Sequence, residues 1–222
     1  MKPASSRIAA ELAPTGTIRA AINLANKALV QGEEGCLRGK AIDMAHAIAR
    51  ASGLPIAFSC YPSAHSVFEA LDANDWDIAF MAADPSRAQR LHFTPPYVTI
   101  EARFAVRADA NLGIADIDRP GMRIATSRGA AYDLHLGRVL KYAQRVQYET
   151  PVQSFEGFAR GEADAVAGIR EALSAFQLQR DGLRQLEEPF LVIGQTIAIR
   201  RECVSAASFL DELVDTLKAG NP

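Results

Sequence analysis

Two short apolar runs, each opened by an aspartate and followed by an arginine, most constrain what this chain can fold into. The first is Asp77 with Ile78-Ala79-Phe80-Met81-Ala82-Ala83, ahead of Arg87; the second is Asp164 with Ala165-Val166-Ala167-Gly168, ahead of Arg170. Runs this short and this apolar, bounded by polar residues, read as strands of a parallel sheet covered on both faces. Each follows a helix that ends in polar residues, Asp72-Ala73-Asn74-Asp75 in one case and Arg160-Gly161-Glu162 in the other. A pattern that occurs twice predicts two similar α/β lobes and not a solenoid.

The residues around the first run complete a lobe. Strands at 17–22, 55–59 and 77–83 alternate with helices at 40–52 and 64–72. The first helix carries Ile42, Ala45, Ile48 and Ala49 at helical spacing and is closed by Gly53; the second carries Val67, Phe68 and Leu71. Strand–helix–strand–helix–strand predicts a parallel sheet with helices on both faces. The loop leaving the first strand holds Asn23 and Asn26, which are ligand contacts or turn residues. Gly32, Gly35 and Gly39 mark 31–39 as a surface loop.

The second run sits in a matching series. Strands at 123–126, 145–148 and 164–168 alternate with helices at 152–160 and 171–179. Another helix follows the turn Ser127-Arg128-Gly129-Ala130-Ala131, with Tyr132, Leu136, Val139 and Leu140 on one face. Two extended stretches, 98–106 and 191–200, carry the chain out of the first lobe and back, and a last helix covers 204–218. The division is 1–102 with 196–222 for lobe 1, and 103–195 for lobe 2. Two extended crossings make a hinge, and the ligand site of such sheets lies beyond the strand C-terminal ends.

Asp84-Pro85-Ser86-Arg87 stands at one of those ends. A capping side chain followed by proline reads as a helix start. Exposed N–H groups, the helix dipole and a guanidinium one turn in would together collect a carboxylate. The bland alternative is a solvated surface arginine. Tyr97 and Tyr132 are stacking or packing residues, and Trp76 and His135 are packing residues. His92 is a surface or hinge residue. His46 and His65 have no partner at metal spacing.

Several function classes are excluded. Net charge is −2 with no basic block, which leaves nothing for a nucleic-acid backbone or an anionic membrane. No apolar run reaches the length of a membrane span. No G-x-S-x-G, G-x-G-x-x-G, P-loop or H-E-x-x-H occurs, so no catalytic residue, cofactor or metal is expected. Cys36, Cys60 and Cys203 form neither a disulfide framework nor a zinc pattern; they are buried or free thiols, or Cys36 pairs with Cys60. The N-terminal residues lack an export signal, so the chain stays in the cytoplasm or has lost a leader.

The motifs in their order resemble the family 3 solute-binding proteins, which have the type II periplasmic-binding fold and serve polar amino acid ABC transporters. The resemblance covers about 12–218. It rests on Thr17-Ile18-Arg19-Ala20, on Gly39 through Asp43-Met44-Ala45 for G-F-D-x-D-L-A, and on Trp76-Asp77-Ile78-Ala79. It continues with Arg87 and with Phe93-Thr94-Pro95-Pro96-Tyr97 for F-[ST]-x-P-Y. In the second lobe it uses Pro120-Gly121-Met122-Arg123-Ile124-Ala125, Arg128-Gly129 and Gly161-Glu162-Ala163-Asp164-Ala165.

The resemblance implies a two-lobed α/β fold, each lobe a mostly parallel sheet flanked by helices, joined by two extended hinge strands. It places Arg87 on the ligand carboxylate, with Asn23, Asn26, Ala82, Ala83 and Asp84 lining the first lobe. Ser127, Arg128, Gly129, Ala130, Ala131 and Tyr132 would close from the second lobe, and Arg170 would tune charge preference. Four features depart from the family. Ala130 and Ala131 replace hydroxyl residues, leaving only backbone N–H donors. Ile169, beside Arg170, replaces the acid that meets a ligand ammonium. The spacing from Asp77 to Arg87 is short. The chain also stops at Asn221-Pro222 without the common final helix, which bares an edge of lobe 1 and favours a homodimer. Three arginines against Asp84 suit an anion better than a zwitterion. The implied function is binding of a small carboxylate-bearing metabolite, anionic or zwitterionic, for an ABC permease in the periplasm, without chemistry. The alternatives are a cytoplasmic metabolite sensor and a dehydratase of the prephenate or arogenate type.

Overall fold

A computed structural model of the chain describes residues 4–33 and 35–219. The lobe 1 ends at 1–3 and 220–222, and Asn221-Pro222 with them, lie outside the described residues. The chain forms two compact units, one of residues 1–24, 29–99 and 194–222, the other of residues 25–28 and 100–193.

The first unit opens with α1 (Ser6–Leu12) and β1 (Ile18–Asn23), followed by α2 (Lys40–Ser52), β2 (Ile56–Tyr61), α3 (Ala64–Glu69), β3 (Ile78–Ala82) and β4 (Leu91–Phe93). The helices begin and end where side chains or glycine satisfy the free backbone groups. Gly53 closes α2 in the left-handed region at φ 73, its N–H returning to Ala49. Ser63 and Ser66 cap α3 reciprocally, each side chain accepting from the other's backbone N–H. Strand β1 pairs in parallel with both β2 and β3. On one face of this sheet Trp76, Val67, Leu71, Ala79, Met81 and Leu91 form a core. The Trp76 indole donates to the Val67 carbonyl at 2.8 Å, so this tryptophan is a packing residue.

The chain then runs through β5 (Val98–Arg107), a 3₁₀ turn (Ile114–Asp116) and β6 (Arg123–Ser127) into α4 (Ala131–Val139) and β7 (Gln144–Tyr148). It continues with α5 (Pro151–Ala159), β8 (Ala165–Ile169), α6 (Arg170–Gln177) and β9 (Leu183–Gln185). Strand β6 pairs in parallel with β7 and β8, and β5 runs antiparallel to β8. Phe155, Phe158, Ala163, Val166 and Leu173 fill the core of this unit. Strand β10 (Leu191–Arg200) returns the chain, pairing antiparallel with β3, and α7 (Val204–Ala219) ends it. Each unit is thus three parallel strands with one long antiparallel strand beside the third.

Several expectations are corrected. No helix starts at Asp84-Pro85-Ser86-Arg87; the segment forms consecutive turns, with the N–H groups of Arg87 and Ala88 both donating to the Asp84 carbonyl. The turns lead directly into β4, which pairs with β10, so the chain has no room for a helix there. Asn23 is the last residue of β1 and not a loop residue. The helix expected at 64–72 ends at Glu69 and gives way to turns. All three cysteines are free, so Cys36 and Cys60 do not pair. Among the described residues no helix is long and apolar enough to cross a membrane, and no group of metal-ligating side chains is assembled.

Candidate functional site

In the first unit the parallel strands β2, β1 and β3 end at Tyr61, Asn23 and Ala82. Ligands of such sheets sit beyond these ends. The chain leaves β3 through exposed Ala83 into buried Asp84. One Asp84 carboxylate oxygen accepts from the Ser86 N–H at 3.0 Å and the Ser86 hydroxyl at 2.7 Å. This Asx-type turn, and not a helix cap, carries the chain to Arg87.

Arg87 is the distinctive group of this end. It is 3% exposed, and its guanidinium lies 5.3 Å from the centre of the Phe68 ring on α3. Burial holds its pKa below the ordinary arginine value, and the nearby Asp84 charge opposes that shift. A buried cation of this kind gains from an added anion, because water no longer solvates it fully. The solvated-arginine reading does not fit such burial. Two further residues here escaped the sequence reading. Phe68 has the spacing of a core position, and Gln195, 4% exposed and in register with Ala82, lies on β10. A buried glutamine in an otherwise apolar run was the available signal.

In the second unit β7, β6 and β8 end at Tyr148, Ser127 and Ile169. Ser127 is buried, and Gly129 turns the chain at φ 66, a conformation that favours glycine. The backbone donors expected to meet a ligand are partly committed. Arg128 N–H donates to the Tyr148 carbonyl at 2.7 Å, Gly129 N–H to Asp133 at 3.0 Å, and Ala130 N–H to the Ser127 carbonyl at 3.1 Å. Helix α4 begins at Ala131, and its N-cap Ala130 offers no capping side chain to the first N–H groups of the helix. Tyr132 is 3% exposed, and burial raises its pKa against the opposing effect of Ser127.

The expected excess of positive charge is offset. Arg128 lies 3.4 Å from Glu149, both exposed. Arg170 donates to Glu171 at 2.6 Å and lies 3.8 Å from Glu101, and the Glu171 contact raises its pKa. Neither arginine is a bare cation awaiting an anion. Asn26 belongs to Ala25–Ala28, the segment grouped with the second unit. Asp133, absent from the sequence-based site, is the most heavily bonded carboxylate of this unit, receiving Thr126, Gly129, Arg145 and Gln147.

Two units, each with three parallel strands ending at loops rich in polar groups, are the architecture of a type II solute-binding protein. The model of the bacterial extracellular solute-binding proteins, family 3, matches residues 19–201, and the chain belongs to that family. Solved structures share the fold at low identity. The holo form of ArgBP from T. maritima aligns with TM-score 0.79 and 20% identity over 94% of this chain and 93% of its own. AncCDT-1, an ancestral amino acid-binding protein described as a precursor of cyclohexadienyl dehydratase, aligns with TM-score 0.76 and 20% identity over 94% and 92%. The membrane-bound lytic murein transglycosylase F of Maricaulis maris is 28% identical over 108 residues, 47% of this chain. The aligned stretch is 24% of that relative's length.

Proposed function

We propose that this protein is a solute receptor of the ABC-transporter type, working outside the cytoplasm, that binds a small carboxylate-bearing metabolite, an amino acid or another organic acid. The buried guanidinium of Arg87, in the turns that follow β3, carries this reading. Arg87 takes the carboxylate from the first unit, and the N-terminal N–H groups of α4 act from the second. Closure is a shift of population driven by contacts to both units. Because Arg128 and Arg170 are already matched by glutamates, a zwitterion suits the protein as well as an anion.

A dehydratase is the second reading; what favours it is the likeness to AncCDT-1, which at 20% identity carries the fold and not an activity.

The test is a thermal-shift and calorimetric screen of amino acids, dicarboxylates and aromatic acids, with mass spectrometry of co-purified ligand and an assay for prephenate turnover. Saturable binding that Arg87→Ala removes is the expected result. Turnover of prephenate, or affinity indifferent to Arg87, overturns the reading.

A further inference from the structure

Asp133, the third residue of α4, is 1% exposed. Its carboxylate accepts the Thr126 hydroxyl at 2.8 Å, the Gly129 N–H at 3.0 Å, an Arg145 guanidinium nitrogen at 2.8 Å and the Gln147 amide at 2.8 and 3.0 Å. The same Arg145 nitrogen also donates to the Asp133 carbonyl at 2.9 Å. The donors come from β6, from the turn after it, and from β7. One carboxylate therefore ties the loop 127–130 to both strands beside it.

Gly137 makes this possible. A Cβ built there would stand 2.8 Å from the Arg145 guanidinium carbon. The glycine opens the path by which Arg145 crosses α4 to reach Asp133. A glycine within a helix costs about 1 kcal/mol against alanine, so its presence here marks a local demand for space.

We propose that Asp133 is the positioning residue of ligand binding in the second unit, and that Arg145, admitted by Gly137, holds it in place. This rests on the solute-receptor reading. Asp133 fixes the turn so that its own N–H groups are consumed and the first N–H groups of α4, at Ala131 and Tyr132, are set for a ligand oxygen. Asp133 does not touch the ligand.

Two variants test the assignment. Asp133→Asn keeps the shape but removes the charge that gathers the donors. Gly137→Ala pushes the guanidinium, the free end of a flexible side chain, away from Asp133 while improving helix propensity. The probe is the tightest binder among L-arginine, L-glutamine, L-glutamate and succinate, measured by calorimetry with melting curves alongside. Amide exchange at Gly129 is followed by NMR in ligand-free protein. Both variants are expected to lose affinity about tenfold or more, the scale of small misplacements in preorganised sites. Gly129 exchange should quicken in both, and the gain in helix propensity offsets only part of what Gly137→Ala loses at the Arg145–Asp133 pair. Affinity measured well below the melting transition, where each variant is fully folded, should still fall; a merely structural role would leave it at the wild-type value.

Wild-type affinity in both variants overturns the proposal, as does Gly129 exchange unchanged in Asp133→Asn. If none of the four probes binds wild-type protein, the receptor reading loses its support and the positioning role falls with it. Quickened Gly129 exchange would then still mark Asp133 as the anchor of the loop, so the two failures are told apart.

Discussion

The two units carry the same ion pair in the same place, and bury it to different degrees. In the first, Arg19 of β1 gives Asp77 its backbone N–H at 2.8 Å and two guanidinium contacts at 3.1 and 2.7 Å. In the second, Arg123 of β6 gives Asp164 its backbone N–H at 2.9 Å and contacts at 3.2 and 2.9 Å. Both aspartates return a backbone N–H to the arginine carbonyl at 2.8 Å. Yet the Asp77 side chain is 3% exposed and that of Asp164 is 37% exposed. The fold repeats the device because each third strand must start beside the first; its surroundings decide what the device is worth. Among the described residues three charged side chains are buried in the first unit, Asp77, Asp84 and Arg87, whereas Asp164, Arg128 and Arg170 of the second are displayed. Asp133 is the buried exception.

This contrast can be broken experimentally, beginning where the largest effect is expected. Arg19→Ala should destabilise the protein by about 3–5 kcal/mol, the cost of leaving the buried Asp77 carboxylate uncompensated, as read by urea unfolding. Arg123→Ala, which leaves the more exposed Asp164, should cost much less in the same experiment; equal losses would erase the distinction between the pairs.

Ligand binding gives the next comparison. Arg87→Ala should weaken affinity by about 2–5 kcal/mol, as for other desolvated charge pairs. Arg170→Ala and Arg128→Ala should stay within about twofold of wild type, since exposed ion pairs contribute little. A large loss at Arg170 would move the charge-recognising group to the second unit.

The smallest effect concerns acid. The Arg123 guanidinium beside Asp164 holds its carboxyl below the usual range. A carboxyl group depressed on folding contributes stability that is present above its unfolded pKa and lost as pH falls through the folded value. Asp164→Asn should therefore flatten the loss of stability below about pH 4 and leave neutral pH little changed. An unaltered acid limb would show that the exposed pair is idle.

Legibility from sequence followed the range of the forces involved. The long strands and helices were readable because burial imposes a period on neighbouring residues; 40–52 closed by Gly53 matches α2 and its cap to the residue. Strands β4 and β9 were not, because three residues carry no usable period. Asp84-Pro85-Ser86 has local helix-start chemistry, yet pairing of Leu91–Phe93 with β10 overrode it. Among candidate site residues, Arg87 was found from its place after a buried strand. The glutamates matching Arg128 and Arg170 were not, nor was Asp133, whose partners Arg145 and Gln147 lie 12 and 14 residues away on strand β7.

By itself, then, the sequence determined the two-lobed α/β class, the order of strands and helices, and Arg87 as a group at a strand end. Hydrophobic period and turn chemistry are properties of adjacent residues, so they survive reading one residue at a time. Only the tertiary structure decided which charges are hidden, which are matched, and which carboxylate gathers the loop of the second unit. Those depend on the distance and dielectric between residues that the chain brings together only once it has folded.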